Sequence, residues 1–264
     1  MLIRIRSAII ALALYIPFVL LGNGYFAFVM WVIGLIGLYE FSQMQKIKFF
    51  NHIGLVSAIA LTSTLVPYYY IPDMFKSINS EYLFYICCIL LLVFTVFNHR
   101  SFHFEHAAVL MLACIYIGYG FRFLITIRDM GLESIIYLFL VVWATDSGAY
   151  FIGRRFGKRK LSKIISPNKT IEGMVGGILT ALVVSSFYVM LFDPNLGDVQ
   201  QVWFLTIIIS LFGQFGDLVE SAFKRHFGVK DSGKFLPGHG GMLDRFDSLI
   251  FASFMMMIWI NLFR

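Results

Sequence analysis

Nine apolar runs separated by short polar loops are the feature that most constrains how this chain can fold. A membrane-spanning helix needs about 20 mostly apolar residues. Hydrophobic residues make up 59% of the chain and charged residues only 14%, whereas a soluble domain is about 45–50% apolar and about 25% charged. A water-soluble globule with this composition would lack the polar surface to cover its core. We therefore predict an all-α polytopic membrane protein with about nine transmembrane helices. The predicted spans are Ser7–Leu21, Tyr25–Phe41, Ile53–Ile71, Tyr82–Phe97, Ala107–Ile127, Ser134–Ile152, Ile171–Phe192, Val202–Glu220 and Phe246–Phe263.

The distribution of basic residues predicts the orientation of these spans. Lys and Arg are concentrated in the loops predicted on the same side of the membrane as the N-terminus, above all in the loops 153–169 and 224–245. Because basic loops stay in the cytoplasm, we expect a multi-pass protein of the cell (inner) membrane with this side facing the cytoplasm. With nine spans, the C-terminus would lie outside. The net charge of +6 then reflects loops beside anionic head groups. Nucleic acid is not an expected partner, because the basic residues are not interleaved with aromatic residues on a soluble face.

The distribution of acidic residues along the chain changes near residue 133. Residues 1–133 look like plain apolar spans with short loops, whereas acidic residues concentrate from Ser134 onward, several of them within or at the ends of spans. A carboxylate in such a position is energetically expensive and by default indicates function. We therefore predict N-terminal transmembrane helices over 1–133 and a catalytic transmembrane region over 134–264. Its active site would lie at the cytoplasmic ends of the C-terminal helices, with the two basic loops.

The first polar motif runs from Trp143 to Arg154. Asp146, Tyr150 and Gly153 recur at helical spacing, on one face near the cytoplasmic end of the sixth span. Two interpretations of Asp146 stay open at this point. It is either a functional carboxylate or a carboxylate that pairs with a neighbouring Arg or Lys to hold helices together.

The second motif is the basic loop that leads into the seventh span. Pro167 disfavours a helical conformation at Ser166, and Thr170 is a suitable N-cap for the next helix. Ser166, Lys169 and a helix N-terminus together make a good anion site. We therefore predict phosphate binding for Lys169, and only a topological role for the run Arg154–Lys163.

Two sets of small side chains have structural interpretations. Gly173 and Gly177 are spaced for close helix packing. Cys87, Cys88 and Cys114 lie inside apolar runs without the spacing of a zinc or redox motif, and are expected to be buried small hydrophobic residues.

The strongest motif lies at the end of the eighth span and continues to the start of the ninth. One helical stripe carries two carboxylates, a hydroxyl and an ammonium group, namely Asp217, Glu220, Ser221 and Lys224. A short Gly-rich loop then leads to Asp244 and Asp247. Four carboxylates on two helix ends can converge at the membrane surface, and such oxygen ligands suit Mg²⁺, which shares substrate phosphates. His239 of the loop is expected beside the phosphates, since no second His lies at ligand spacing.

A cytoplasmic, cationic and carboxylate-rich site at the bilayer surface favours one class of function. It predicts metal-assisted phosphoryl or nucleotidyl transfer between a soluble anionic nucleotide and a lipid. The alternative is an ion-coupled membrane transporter whose intramembrane carboxylates bind the coupling ion. Against the transporter, the charges cluster at helix ends rather than at mid-span, and the two halves of the chain differ strongly.

The segment Ser221–Asp247 resembles the signature of the phosphatidate cytidylyltransferases, the CDP-diacylglycerol synthases. It contains Ser-Ala-Phe-Lys-Arg, Lys230-Asp231-x-Gly233, Leu236-Pro237-x-His239-Gly-Gly-Met242 and Asp244-Arg-Phe-Asp247. Three further segments resemble the same family, namely Asp146–Arg154, Ser166–Gly173 and Gln214–Ser221. Before residue 130 the likeness is one of hydropathy and length alone, and the short N-terminus resembles the bacterial form.

The resemblance implies the reaction of CTP with phosphatidate to give CDP-diacylglycerol and pyrophosphate in phospholipid biosynthesis. It implies Mg²⁺, often with a second, monovalent cation such as K⁺, and a homodimer. The metal ligands that it implies are Asp217, Asp244, Asp247 and Glu220. The resemblance implies catalytic roles for Asp217, Asp244, Lys224, Lys230 and His239. It implies substrate-binding roles for Asp146, Ser166, Lys169, Ser221, Arg225 and Arg245. A CTP-dependent transferase acting on another lipid or a polyprenol stays open as an alternative.

Overall fold

A computed structural model describes residues 2–192, 194, 196–235, 238 and 240–263 of the chain, without the side chains of residues 2–5 and 8. Within these residues the fold is helical apart from one small β-hairpin. The helices are α1 Leu2–Leu21, α2 Asn23–Met44, α3 His52–Leu65, α4 Ser80–Phe97, α5 Phe104–Met130, α6 Leu132–Phe156, α7 Ile171–Leu191, α8 Val199–His226 and α9 Asp247–Phe263. Short 3₁₀ turns lie at Tyr68–Tyr70, Asp73–Phe75 and Leu243–Arg245. The all-helical prediction is confirmed for the bulk of the chain.

Six of these helices are long and apolar enough to cross a membrane, namely α2, α4, α5, α6, α7 and α8. The apolar part of α1 (Ile9–Leu21), α3 and α9 are shorter. The chain is thus a multi-pass membrane protein by the length and composition of its helices. Nine crossings stay a prediction.

Helix α3 is shorter than predicted. The apolar run extends from Ile53 to Ile71, but the helix ends at Leu65. Pro67 disfavours a helical conformation at the residue before it, and Val66 is extended, with φ −79° and ψ 120°. Hydropathy alone therefore places the end of this helix six residues too far along the chain.

The β-hairpin was not predicted. Strands β1 (Lys160–Ser162) and β2 (Ser166–Thr170) pair antiparallel within the basic loop between α6 and α7. Lys160 lies opposite Thr170, and Ser162 lies opposite Ser166. The extended conformation that Pro167 imposes on Ser166 was visible in the sequence, but the pairing of the two strands was not.

The chain forms two compact units. One contains Met1–Thr126 together with Asp231–Arg245, and the other contains Ile127–Lys230 together with Phe246–Arg264. In the first unit, α2 packs against α3, α3 packs against α4, and the 3₁₀ turn at 243–245 packs on α2. In the second unit, α6 packs along α7, and α8 packs along α9.

Glycines allow the close packing of α6 and α7. A Cβ atom on Gly177 would lie 2.6 Å from the carbonyl oxygen of Thr145, and one on Gly173 would lie 2.8 Å from that of Ala149. Real Cβ atoms do not approach a carbonyl oxygen so closely. The predicted packing role of Gly173 and Gly177 is confirmed.

Buried hydroxyl groups hold α6 against α8. The Tyr137 hydroxyl lies 2.8 Å from the Thr206 hydroxyl, and Thr145 Oγ1 donates to Ser210 Oγ at 2.8 Å. Paired hydroxyls avoid the cost of an unsatisfied polar group in an apolar surrounding. Because Asp146 directly follows Thr145, these bonds also fix the level of Asp146 relative to α8.

Candidate active site

The stripe predicted at the end of α8 is present in the structure. Ser221 Oγ donates a hydrogen bond to Asp217 Oδ1 at 3.3 Å, and Lys224 Nζ lies 3.5 Å from Glu220 Oε1. Both pairs are four residues apart, the spacing at which side chains meet on a helix. The Glu220 side chain is fully buried, whereas 32% of the Asp217 side chain is exposed.

The hairpin brings a fourth charged group to this stripe. Lys169 of β2 forms an ion pair with Asp217 of α8. Thr170, the next residue, caps α7, because its hydroxyl oxygen accepts a hydrogen bond from the N–H of Gly173 at 3.1 Å. The N-cap prediction is confirmed, and the cap fixes Lys169 at the start of α7.

Both ends of the hairpin are anchored to helices. At its base, Glu172 of α7 accepts hydrogen bonds from the N–H groups of Lys158 at 3.0 Å and Arg159 at 3.1 Å. At its turn, Arg225 Nε of α8 donates to the carbonyl oxygen of Ile165 at 3.4 Å. Arg225 therefore supports the hairpin here, in addition to the substrate-binding role predicted for it.

Asp146 of α6 and Asp247 of α9 complete an acidic cluster with Asp217 and Glu220. Asp247 interacts with Glu220 and lies within electrostatic range of Asp217. Asp146 lies within electrostatic range of Asp217 and Asp247. Lys169 of β2 lies within electrostatic range of Asp146, and Lys224 of α8 lies within electrostatic range of Asp247. When all six groups are ionised, two negative charges are in excess, which is the charge that one divalent cation neutralises.

The acidic cluster offers the hard oxygen donors that Mg²⁺ prefers. In the described part of the chain, no group of three or more His, Cys, Asp or Glu side chains is arranged to hold a metal ion by itself. Mg²⁺ keeps several waters, however, and binds through one or two carboxylates together with substrate phosphates. The chemistry of these residues therefore fits a cation that binds along with a phosphate-bearing substrate, and which of them bind it stays a prediction.

Asp244 belongs to the first unit, where it organises the Gly-rich loop. Its Oδ2 accepts hydrogen bonds from the N–H of Gly241 at 2.8 Å and from the N–H and hydroxyl of Ser232 at 3.0 and 3.1 Å. One oxygen of this predicted metal ligand therefore holds the fold of the loop.

Glu40 of α2 supports the same loop, and the motifs did not reveal it. Its carboxylate accepts hydrogen bonds from the N–H groups of Met242 at 2.8 Å and Leu243 at 2.9 Å. Residues 1–133 were expected to be plain apolar spans. The available signal was the lone acidic residue within an apolar run.

The structure thus brings together one set of the predicted site residues, namely Asp146, Lys169, Asp217, Glu220, Ser221, Lys224 and Asp247. Lys230 and Arg245 are exposed, and Ser166 is half-buried in β2. His239 lies outside the described residues.

The chain is similar in sequence to known proteins over nearly its whole length. The Cytidylyltransferase family matches residues 2–263. The chain belongs to this family. The phosphatidate cytidylyltransferases of Staphylococcus haemolyticus and Staphylococcus aureus are each 45% identical to it over 253 residues, and that of Staphylococcus saprophyticus is 43% identical over 255 residues. Each match covers 95% of both chains. This cytidylyltransferase is therefore a nucleotidyltransferase rather than a transporter, and the likeness includes the N-terminal helices that carry no motif.

Proposed function

We propose that this cytidylyltransferase is a phosphatidate cytidylyltransferase, which converts CTP and phosphatidate to CDP-diacylglycerol and pyrophosphate in phospholipid biosynthesis. The observation that carries the proposal is the 43–45% identity, over 95% of the chain, to enzymes that bear this name. The two lysines support it, because both substrates are phosphate anions, and so does the excess negative charge of the acidic cluster, which a divalent cation shared with those phosphates would neutralise.

In the proposed reaction, a phosphate oxygen of phosphatidate attacks the α-phosphorus of CTP. A new bond forms between these atoms, the bond from the α-phosphorus to the bridging oxygen breaks, and pyrophosphate leaves. Phosphatidate is already an anion, so the attack needs no strong general base. Catalysis must then come from charge neutralisation and alignment of the two substrates.

The lysines of the cluster have the chemistry for that neutralisation. Lys169 and Lys224 each lie beside a carboxylate. Lys169, whose partner Asp217 is partly exposed, could turn to a phosphate when an anionic substrate enters, whereas Lys224 would add positive charge from its place beside the buried Glu220. As the resemblance implies, Mg²⁺ would be held by carboxylates from the set Asp217, Asp244, Asp247 and Glu220, and it would supply further positive charge to the phosphates. Orientation of this site toward the cytoplasm, where CTP is made, is part of the proposal. A K⁺ ion and a homodimer stay predictions.

An activity panel on detergent-purified protein tests this proposal. We expect pyrophosphate release only from CTP among the four nucleoside triphosphates, only with phosphatidate present, and only with Mg²⁺. Turnover of CTP with a polyprenol but not with phosphatidate would assign the alternative acceptor. Equal turnover with and without Mg²⁺ would remove the metal from the proposal and leave the lysines as the source of positive charge.

A further inference from the structure

Glu40 is a carboxylate buried inside an otherwise apolar helix. It lies one turn from the C-terminal end of α2, and only 2% of its surface is exposed. A buried carboxylate is costly unless hydrogen bonds compensate it. Here the compensation comes from the Gly-rich loop, through the N–H groups of Met242 and Leu243 and the hydroxyl of Ser232, which donates at 3.1 Å.

Two glycines of the loop make this approach possible. A Cβ atom on Gly241 would lie 2.6 Å from both carboxylate oxygens of Glu40. A Cβ atom on Gly233 would lie 2.7 Å from the carboxylate carbon of Glu40. The loop therefore wraps the carboxylate on two sides with residues that have no side chain.

The contacts of Glu40 lead directly to Asp244. The hydroxyl of Ser232 lies 3.1 Å from an oxygen of Glu40 and 3.1 Å from Oδ2 of Asp244. Leu243, whose N–H donates to Glu40, is the neighbour of Asp244 in the chain. The two carboxylates thus hold the same short stretch of backbone, one from inside the helix and one from within the loop.

We infer that Glu40 is a positioning residue of the active site, which sets the backbone at residues 232–233 and 241–243 and through it the carboxylate of Asp244. This inference rests on the proposed function, because it takes that loop as part of the site. Glu40 itself need not touch a substrate. Its effect on the reaction passes through Asp244.

The substitution Glu40→Gln tests this role with almost no change in volume. The Glu40 oxygens accept from Met242 and Leu243 separately, so an amide nitrogen placed on either side would face a backbone N–H. A buried donor without an acceptor costs enough to loosen the loop. We expect kcat to fall roughly tenfold or more, while KM for CTP and phosphatidate changes much less, as for an interaction that matters in the transition state.

Hydrogen–deuterium exchange separates positioning from general destabilisation. In Glu40→Gln, peptides from 231–245 should exchange faster, whereas peptides from residues 104–126 of α5, in the same unit, should exchange as in the unmodified protein. The matched control is Glu81→Gln, which makes the same change at an exposed position at the start of α4. It should alter neither the exchange nor the turnover.

The conservative variant Glu40→Asp keeps the charge but shortens the side chain by one methylene group. It should give a smaller loss of kcat, and it serves as the test if the Gln variant does not fold.

Faster exchange throughout the unit in both variants would make Glu40 a fold-stabilising residue and overturn the inference. Unchanged exchange in the loop, or a loosened loop with full turnover, would overturn it as well. If the unmodified protein does not turn over CTP and phosphatidate, the proposed function fails, while the exchange data still report whether Glu40 holds the loop.

Discussion

Lys169 of β2 and Asp217 of α8 form an ion pair that joins two motifs separated along the chain. Side-chain exposure is 27% for Lys169 and 32% for Asp217, so the pair is half-buried and reached by solvent. An ion pair of this kind contributes only about 0–1 kcal/mol to stability. An incoming nucleotide phosphate could therefore replace the carboxylate at little cost, as the proposed role of Lys169 as a phosphate ligand requires.

Replacing this lysine should impair CTP use more than folding. We expect Lys169→Ala to lower kcat/KM for CTP by at least about tenfold, because a charged hydrogen bond to phosphate contributes about 1.5–3 kcal/mol. Lys163→Ala, at an exposed position in the turn of the same hairpin, is the matched control and should stay near the unmodified rate. Steady-state kinetics over a range of CTP concentrations measures both variants. An equal loss in the two would reduce Lys169 to one more basic residue of the loop.

The carboxylates proposed to bind the metal should be needed for turnover but not for folding. Asp217→Asn and Asp244→Asn keep the size of the side chain, and in the second variant the amide oxygen could still accept the loop hydrogen bonds. Loss of a metal-binding charge costs several kcal/mol in the transition state, so activity should fall by roughly a hundredfold or more. The double variant should be little worse than either single one, because ligands of one metal act as a unit.

Mg²⁺-dependent formation of CDP-diacylglycerol measures these variants, with the size profile in detergent as the folding control. Asp73→Asn, at a side chain that is 93% exposed, makes the same change away from the cluster and should be silent. Near-normal activity in either single variant would remove that carboxylate from the proposed metal site and leave it a structural role.

Local patterns in the sequence predicted the parts of the site that lie within one helix. The stripe from Asp217 to Lys224 was predictable because side chains three or four residues apart lie on the same face of a helix. Thr170 was predicted as a cap because capping also depends on neighbours in the chain. Hydropathy predicted where the helices lie, since an apolar run long enough to span a bilayer has few alternatives.

Contacts between distant segments could not be predicted in this way. Nothing in the spacing of the Gly-rich loop indicates that it packs on α2, so Glu40 was missed although it is a lone carboxylate in an apolar run. The ion pair of Lys169 with Asp217 likewise depends on how the hairpin folds back toward α8. Such contacts depend on tertiary packing between distant segments, and tertiary packing leaves no periodic pattern in a single sequence.

Close packing between α6 and α7 predicts a stability difference between two glycine substitutions. Gly177→Ala would place a Cβ atom 2.6 Å from a backbone oxygen, whereas in Gly24→Ala the nearest atom would be 3.9 Å away. Overpacking costs about 1–3 kcal/mol, which for a chain of this length corresponds to a fall in Tm of about 2–12 °C. Thermal unfolding in detergent should show that fall for Gly177→Ala and no fall for Gly24→Ala. Matching Tm values would mean that α6 and α7 can separate without cost.

The orientation of the hairpin decides whether the site can use cytosolic CTP. Lys160 is exposed in β1, within the loop that the basic residues predict to be cytoplasmic. In a background without Cys87, Cys88 and Cys114, Lys160→Cys should resist a membrane-impermeant thiol reagent in intact cells and react in inverted vesicles. Asp73→Cys, in a loop predicted on the opposite side, should show the reverse pattern.

The paired design makes the outcome decisive, because poor reagent access would silence both positions in both preparations. Each cysteine therefore serves as the positive control for the preparation in which the other should stay unlabelled. Labelling of Lys160→Cys in intact cells would place the hairpin, and with it Lys169 and the acidic cluster, on the outer side of the membrane. A nucleotide made in the cytosol could not then reach the lysine that is proposed to bind its phosphates, and the proposed reaction would fail for want of its donor.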